Sequence, residues 1–283
     1  MLARAPNFPP RTSPPGALFL PTAPSDASPP SPQGPSSRGA KLLVLVAVMA
    51  AAALVYLGRQ SGEEATRLPP PALDVAANPA GAHETAVFAG GCFWGVQAVF
   101  QHTQGVLNAV SGYAGGPRES ARYASVVSGQ TGHAEAVHIT YDPRQISYGK
   151  LLQVYFSVAH DPTELNRQGP DYGTQYRSAV FYQDAQQQQV AERYIAQLDA
   201  AGVFKRKIAT QLAPLATSPF YPAEAHHQDY ATHHPHDAYI ATYDRPKIAN
   251  LKTMLPEVYR ASPVLVAAQA VGERPARAET GTP

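Results

Sequence analysis

Cysteine and tryptophan are almost missing from this chain, which has one of each among 283 residues. A single cysteine excludes an intramolecular disulfide, so it is either a small buried hydrophobe or a reactive thiol. The formal net charge is only +1, so no large electrostatic field favours nucleic acid as a partner. The two rare residues nevertheless stand together: Cys92 and Trp94 lie two positions apart in GGCFWG, between Gly90 and Gly95.

Proline is concentrated outside the centre of the sequence. Many of the 28 prolines lie in residues 1–40 and 68–79, and the final stretch ERPARAETGTP has the same character. Segments with so little to bury cannot offset the entropy of ordering, so they are predicted to be disordered or extended. We therefore predict a Pro/Ser-rich leader at 1–40, a linker at 59–83, a folded domain at 84–261 and a disordered tail at 262–283.

One uninterrupted apolar run, LLVLVAVMAAAALVYL at Leu42–Leu57, carries no charge and follows Lys41. Its length is close to the roughly 17–25 residues of a spanning helix and exceeds the usual signal-peptide core of about 7–15 residues. We interpret 41–58 as a single-pass membrane anchor. The alternatives are a cleaved signal, or an ordinary signal peptide preceded by a mis-assigned start codon. Basic residues before the run keep that side in the cytoplasm, so the domain is predicted to lie outside it, in the periplasm if the source is bacterial.

Cys92 is predicted to lie where a strand passes into a helix. ETAVFAGG is a short apolar run ending in glycines, which is typical of a buried strand, and Phe93, Val96 and Phe100 follow at helical spacing. Backbone N–H groups and the helix dipole favour an anion at such a position, so we predict a thiol of lowered pKa. An exported domain normally pairs its structural cysteines, which also favours a reactive thiol over an inert one.

A carboxyl group lies on the apolar face of a second predicted strand. AEAVHITY alternates, with Glu135, Val137 and Ile139 on one face and Ala136 and His138 on the other. A glutamate at this place either reaches solvent at a sheet edge, or is half-buried with a raised pKa and able to act as an acid near neutral pH.

The rest of the pattern mixes strands and helices without strict alternation. Helices are predicted at SYGKLLQVYFSVAH, DAQQQQVAERYIAQLDAAG, PAEAHHQDYATHHP and PKIANLKTMLPEVY, strands at YRSAVFYQ and KIATQLAPL, and a long polar loop at DPTELNRQGPDYGTQ. This order predicts an α+β fold, a two-layer sandwich with helices packed on a mixed or antiparallel sheet.

Five stretches resemble segments of the peptide-methionine (S)-S-oxide reductases, the A-type methionine sulfoxide reductases. They occur in the same order along the chain as in that family. They are FAGGCFWGVQAVF, SGYAGG, SGQTGHAEAVHITYDP, HDPTELNRQGPDYGTQYRSAVFY and SPFYPAEAHHQDY, within residues 86–260. The resemblance implies a two-layer α+β sandwich of ferredoxin-like character. It also implies thiol-dependent reduction of methionine (S)-S-oxide to methionine, in proteins and as the free amino acid, with no metal and no bound cofactor.

The resemblance further implies roles for seven residues. Cys92 is expected to attack the sulfoxide sulfur and become a sulfenic acid, while Glu135 protonates the sulfoxide oxygen. The other five are Tyr113 and Tyr176 as hydroxyl donors to that oxygen, Asp171 as a polar partner, and Phe93 and Trp94 as walls around the S-methyl group.

The chain departs from the family pattern in three ways. Gln97 stands where many members have Glu, the tail at 261–283 contains no resolving cysteine, and export is less usual for the family. An external thiol, either a thioredoxin-like protein or a small thiol, is therefore expected to reduce the sulfenic acid through a mixed disulfide. The expected substrates are oxidised proteins with exposed methionine sulfoxide, and the enzyme is expected to be a monomer.

Two other functions remain open from the residues alone. A cysteine hydrolase would pair Cys92 with one of the ten histidines, and an anchored binding protein would capture oxidised methionine without turnover. Five of the histidines fall within HHQDYATHHPHD, His226–Asp237. We interpret this cluster as a solvated helix end and turn rather than a metal site, because no cysteine or regular ligand spacing joins it.

Overall fold

The computed structural model describes residues 65–75 and 83–266. The leader predicted at 1–40 and the span predicted at 41–58 lie outside these residues, as does most of the predicted tail. Within the two described ranges, no helix is long and apolar enough to cross a membrane.

Strands and helices alternate irregularly along the domain. The strands are β1 (Glu84–Gly90), β2 (Val106–Ala114), β3 (Ala134–Tyr141), β4 (Arg167–Gln168), β5 (Asp171–Tyr172), β6 (Ser178–Tyr182), β7 (Gln211–Pro214) and β8 (Phe220–Pro222). The α-helices are α1 (Phe93–Gln101), α2 (Tyr123–Val126), α3 (Tyr148–Val154), α4 (Ala185–Ala201), α5 (Tyr230–His233) and α6 (Arg245–Met254). π-Helical turns follow α3 at Tyr155–Ala159 and precede α6 at Ile240–Asp244.

Six of these strands form one mixed sheet in the order β7-β6-β1-β3-β2-β8. The β6–β7 pair is parallel, and the other neighbouring pairs are antiparallel. Strands β4 and β5 form a separate small hairpin. Helix α1 packs against β2 and β3, so the α+β class predicted from the sequence is confirmed.

The centre of the sheet is covered on both faces. Phe88 of β1 and Val137 of β3 belong to the main core, whereas Val87 and Ala136 belong to a second apolar cluster. Alternate residues of a strand point to opposite faces, so the two clusters lie on the two sides of the sheet. Glu135 shares the face of Val137, as its alternating pattern predicts.

The caps predicted for the longest helix are also present. The side chain of Asp184 accepts a hydrogen bond from the Gln187 N–H at 2.9 Å, which satisfies one of the free donors at the start of α4. Gly202 ends the helix with φ +61°, the left-handed conformation that glycine adopts at little cost.

A proline-rich segment, residues 65–75, packs on the domain, and we call it the strap. Leu68 is 1% exposed and lies in the main core. The carbonyl oxygen of Leu68 accepts a hydrogen bond from Gln153 Nε2 at 2.6 Å, and that of Pro69 accepts one from the Tyr194 hydroxyl at 2.7 Å. These contacts offset the ordering entropy that a free linker would keep. The strap is therefore part of the folded domain, which the boundary predicted at residue 84 leaves out.

Candidate active site

Cys92 lies between the end of β1 and the first turn of α1, as its sequence setting predicts. Gly91 before it has φ +86°, and a Cβ atom there would lie 2.5 Å from Gln168 Cγ. Only glycine therefore allows the chain to turn so tightly from strand to helix at this point. The turn places the Cys92 thiol beside the helix N-terminus and below the β4–β5 hairpin, with 8% of the residue exposed.

The predicted lowering of the Cys92 pKa is wrong. Burial raises the pKa of the thiol well above its ordinary value, and the nearby carboxylates of Glu135, Asp244 and Asp171 add to the increase. A hydrogen bond from the Trp94 backbone N–H acts in the opposite direction but is outweighed. The helix N-terminus favours the thiolate, yet desolvation and negative neighbours disfavour it more strongly. Cys92 is therefore a protonated thiol at neutral pH.

Glu135 is the buried acid of the site. It is 3% exposed, and its Oε2 accepts a hydrogen bond from the Phe93 N–H at 3.0 Å, directly beside Cys92. Burial raises the pKa of this carboxyl to about 8, and the neighbouring Asp171 and Asp244 contribute to the rise. Of the two alternatives that the sequence left open, the buried one is confirmed. Glu135 can hold a proton at neutral pH and release it to a base in contact with it.

Three tyrosines, whose hydroxyl pKa values are all raised in part by the charge of Glu135, have different partners. The Tyr113 hydroxyl donates a hydrogen bond to Glu224 Oε2 at 2.8 Å, so this predicted donor is already engaged. Tyr176 and Tyr123 are different, because the charges of Glu135, of Asp171 and of Cys92 itself contribute to raising the pKa of both hydroxyls, after burial as the main cause. Their side chains therefore share the space around the thiol.

Sequence reasoning missed Tyr123. It begins the short helix α2, and its backbone N–H donates to Glu224 Oε1 at 2.9 Å. Glu224 thus joins Tyr113 to Tyr123 through its two carboxylate oxygens. The sequence around Tyr123, SARYASV, has no feature that sets it apart from the other 14 tyrosines.

Asp171 and Asp244 complete a group of acidic side chains. Asp171, on β5, accepts a hydrogen bond from the Tyr239 hydroxyl, and burial raises its pKa. Asp244 was not predicted. It is 0% exposed, burial raises its pKa to about 6, and its Oδ1 lies 3.7 Å from Lys247 Nζ. A Cβ atom on Gly95 would lie 2.1 Å from Asp244 Oδ1, so the carboxylate packs directly on the first turn of α1.

Aromatic rings line the other side of the site. Phe93 is 1% exposed, and its ring lies 5.8 Å from that of Tyr113. Trp94 stacks on Tyr230 with 3.8 Å between the ring centroids and an interplanar angle of 11°. The His227 ring lies 5.3 Å from Phe93, and neither of its nitrogens has a hydrogen-bond partner among the described residues. The site therefore combines an apolar wall with a cluster of acids and hydroxyls.

The histidine-rich segment divides between the site and the surface. His227 is buried at 4% exposure, whereas His226, His233, His234 and His236 are exposed. In the part of the chain that the structure describes, no group of three or more potential ligand residues could hold a metal ion.

The arrangement is suited to an attack by sulfur on an electrophile that carries a poorly leaving oxygen. The thiol supplies the nucleophile, Glu135 supplies a proton at neutral pH, and two hydroxyls can stabilise charge on the oxygen. The groups that act most strongly on Cys92 are carboxylates, which raise its pKa. A cysteine hydrolase needs the opposite, an imidazole that takes the proton of the thiol.

Comparison with known proteins supports the same kind of chemistry. The family described as peptide methionine sulfoxide reductase matches residues 84–257. The chain is 57% identical over 183 residues to peptide methionine sulfoxide reductase MsrA 2 of Mesorhizobium japonicum, covering 65% of this chain and 93% of that protein. It is 50% identical over 174 residues to MsrA of Deinococcus radiodurans, covering 62% of this chain and 83% of that protein.

A solved structure is similar as well. The crystal structure of reduced Mxr1 from Saccharomyces cerevisiae aligns with a TM-score of 0.51 at 32% sequence identity, covering 59% of this chain and 93% of the yeast chain. Together with the family match over residues 84–257, this shows that the chain belongs to the peptide methionine sulfoxide reductases of the A type and is an oxidoreductase that reduces methionine sulfoxide.

Proposed function

We propose that Cys92 is the nucleophile of this reductase and Glu135 its general acid. The observation that carries the proposal is that Cys92 and Glu135 both lie at the start of helix α1. The only cysteine of the chain lies next to Phe93, whose N–H is held by a buried carboxyl with a pKa of about 8. A carboxyl of that pKa keeps its proton at neutral pH and can donate it to the sulfoxide oxygen as the attack of sulfur makes that oxygen basic.

In the first step, Cys92 Sγ attacks the sulfoxide sulfur while Glu135 donates a proton to the sulfoxide oxygen. The thiol proton passes to the acid group in exchange, so no net charge is left in the buried site. The attack first forms a bond between Cys92 Sγ and the substrate sulfur, which still carries the protonated oxygen. The oxygen then moves to Cys92 Sγ as the S–S bond and the substrate S–O bond break, so that a Cys92 S–O bond forms. One thiol and one sulfoxide thus give one sulfenic acid and one methionine thioether, with a two-electron exchange between the two sulfurs.

Tyr123 and Tyr176 are the hydroxyl donors to the sulfoxide oxygen in this proposal. The support is that the charges of Cys92 and Glu135 contribute to raising the pKa of both hydroxyls. Tyr113 takes a different place from the one inferred by resemblance. Its hydroxyl is bound to Glu224, which also holds the Tyr123 backbone, so Tyr113 positions Tyr123.

The substrate's methyl group lies against Phe93 and Trp94, while Asp171 orients the polar part of the substrate. An apolar wall next to the nucleophile selects the thioether end and fixes which face of the chiral sulfur meets the thiol. Support comes from the burial of Phe93 and from the hydrogen bond that Asp171 receives from Tyr239, which fixes the carboxylate near the site.

An external thiol then regenerates the enzyme. It attacks Cys92 Sγ, which gives a mixed disulfide and water. A second thiol then attacks the mixed disulfide at the donor sulfur, which releases Cys92 as a thiol and joins the two donor sulfurs in a disulfide. This route follows from the single cysteine of the sequence. We propose a thioredoxin-like protein or a small thiol as the donor, and exposed methionine sulfoxides of exported proteins as the substrates.

The proposed setting is a monomer whose catalytic domain, predicted at 84–261, also includes the strap. It is exported, and anchored through 41–58 if that segment is not cleaved. The proposed fold subclass is a ferredoxin-like two-layer sandwich. The strand order β6-β1-β3-β2 with helices α1 and α3 between consecutive strands supports the subclass. The family match at 84–257 supports the domain.

A single-turnover experiment tests the mechanism. The enzyme is mixed with one equivalent of a peptide that contains methionine (S)-sulfoxide, without reductant, and the products are read by intact mass and by a sulfenic-acid-trapping dione. We expect one methionine per chain and one adduct at Cys92. Methionine formed with the thiol still reduced would overturn the mechanism. Hydrolysis of a peptide or ester without reductant would favour the cysteine hydrolase instead.

A further inference from the structure

One wall of the site comes from an irregular segment, residues 227–230. His227 lies 5.3 Å from the ring of Phe93, and Tyr230 stacks on Trp94 at 3.8 Å. Between them, Gln228 is extended and Asp229 has φ +55°, a left-handed conformation that a non-glycine residue adopts only when its surroundings hold it there. The shape of the aromatic pocket therefore depends on whatever fixes these two residues.

The side chain of Gln228 binds β2 as a neighbouring strand would. Its Oε1 accepts a hydrogen bond from the Ser111 N–H at 2.9 Å, and its Nε2 donates to the Ser111 carbonyl at 2.9 Å and to the Ala223 carbonyl at 3.2 Å. Two opposite contacts with one backbone unit fix which end of the amide is the oxygen.

The orientation of the Gln228 amide in turn fixes the orientation of the amide of Gln97 on α1, a residue that is 1% exposed. Gln97 Nε2 donates to Gln228 Oε1 at 2.9 Å and to the Ala109 carbonyl at 2.9 Å. Its remaining oxygen, Oε1, accepts the Asp229 N–H at 2.9 Å. The amide thus makes three hydrogen bonds in the buried interior, to β2 on one side and to the irregular segment on the other.

We propose that Gln97 is a positioning residue for sulfoxide reduction, which fixes the 227–230 segment against the aromatic side chains of α1. Gln97 lies one helical turn after Phe93 and Trp94, so the same rigid helix carries both the pocket wall and the residue that holds the opposite wall. Gln97 contacts neither the thiol nor the acid, and acts through His227 and Tyr230. The inference rests on the proposed use of the aromatic wall for substrate binding.

The test replaces Gln97 by methionine, which keeps the length of the side chain and removes all three hydrogen bonds. The only tryptophan of the sequence, Trp94, stacks on Tyr230, so its fluorescence reports the position of the segment without any assay of activity. We expect Gln97→Met to shift the emission and quenching of Trp94, and to lower kcat/KM by on the order of 10–100-fold, mainly through KM.

Gln153→Met is the matched control. Gln153 is also a buried glutamine, 3% exposed, but its Nε2 holds the Leu68 carbonyl of the strap. Its loss is expected to lower stability while leaving Trp94 emission and KM unchanged. Gln97→Glu adds a pH test. A protonated carboxyl can still donate to Gln228 Oε1, so KM should approach the wild-type value at low pH and rise as the carboxyl ionises.

Two results would overturn the proposal: Trp94 emission and KM that are unchanged in Gln97→Met, or the same changes in Gln153→Met. These readouts are separate from the proposed mechanism. If Cys92 were not the nucleophile, the emission shift would still be expected. If the emission did not shift, the roles of Cys92 and Glu135 would be unaffected.

Discussion

The strap and the active site differ in how fully their polar atoms are paired. In the strap, Asp74 accepts hydrogen bonds from the Ser147 hydroxyl at 2.5 Å and from the Gly149 N–H at 2.7 Å, and Gln197 binds both the Ala72 N–H and the Pro70 carbonyl. In the site, by contrast, both nitrogens of His227 and Trp94 Nε1 are buried without a hydrogen-bond partner in the described part of the chain.

The difference separates stability from chemistry. A buried polar atom without a partner costs about 1–3 kcal/mol, so the unpaired atoms of the site lower stability, and we attribute their presence there to the chemistry of the site. Changes at the strap should therefore alter the free energy of unfolding and leave turnover intact. Changes at the site should do the reverse. Four substitutions test this division, beginning with the largest expected effect.

Cys92→Ser should abolish reduction of methionine sulfoxide, because a serine hydroxyl is a far weaker nucleophile than the sulfur it replaces. The stability of the variant should stay near that of the wild type, since the two side chains are similar in size. Turnover is measured by release of methionine from an oxidised peptide with dithiothreitol as the reductant. Activity clearly above the enzyme-free blank would contradict the assignment of the nucleophile.

Glu135→Gln should lower kcat by on the order of 10²–10⁴-fold, because the amide cannot supply the proton. In the wild type, kcat/KM should fall as the pH rises through about 8, where the carboxyl loses its proton, and the variant should lack this decline. The pH profiles of both enzymes are the measurement. If they have the same shape and height, Glu135 has only a structural role.

The same carboxyl should also make stability depend on pH. Folding raises its pKa from 4.5 to about 8, so the folded state binds this proton more tightly than the unfolded state. Its contribution to stability is therefore complete below about pH 4.5 and is lost as the pH rises towards 8. Chemical denaturation across this range should show a larger loss in the wild type than in Glu135→Gln, because Asp244, whose pKa is raised to about 6, contributes to the loss in both proteins.

Leu68→Ala tests the strap. The side chain is 1% exposed in the main core, so its truncation should lower the free energy of unfolding by about 2–5 kcal/mol. Leu73→Ala in the same strap is the control, because Leu73 is 39% exposed and should change stability by less than about 0.5 kcal/mol. Both variants should keep the wild-type kcat/KM below their melting temperature. A loss of kcat/KM in Leu68→Ala at a temperature where it is fully folded would refute the division.

Asp74→Ala should have the smallest effect, a loss of about 1 kcal/mol. The carboxylate accepts the N–H of Gly149 in the first turn of α3, where Ser147 already accepts the N–H of Lys150. Removing one of two caps costs about as much as losing a typical N-cap. Urea denaturation detects this difference. An equal loss in Asp74→Asn would show that the charge matters as well as the oxygen.

Local sequence patterns predicted the elements that carry Cys92 and Glu135, because their signals lie within a few residues. The apolar run ending in glycines gave β1 and the position of Cys92, and alternation gave β3 and the face of Glu135. Strand β2, Val106–Ala114, escaped prediction because VLNAVSGYA is buried on both faces for most of its length and does not alternate. A strand of that kind has no periodicity that distinguishes it from other apolar runs.

The remaining errors concern long-range contacts. The helix N-terminus is a local feature and suggested a low pKa for Cys92, whereas the carboxylates that help reverse the shift come from Glu135, Asp171 and Asp244, far away in sequence. The hydrogen bond that engages the Tyr113 hydroxyl is a long-range contact as well. Glu224, about a hundred residues further along, binds both the Tyr113 hydroxyl and the Tyr123 N–H, and no local signal predicts these contacts.

The buried, protonated thiol of Cys92 should also make the enzyme resistant to the oxidants that produce methionine sulfoxide. Hydrogen peroxide and alkylating reagents react with thiolates, so a thiol of raised pKa and 8% exposure should react with them slowly. A sulfoxide bound beside Glu135 brings its own proton acceptor and meets the sulfur directly. The resting enzyme would thus be kinetically shielded from overoxidation to sulfinic acid, and open to oxidation chiefly by the molecule it repairs.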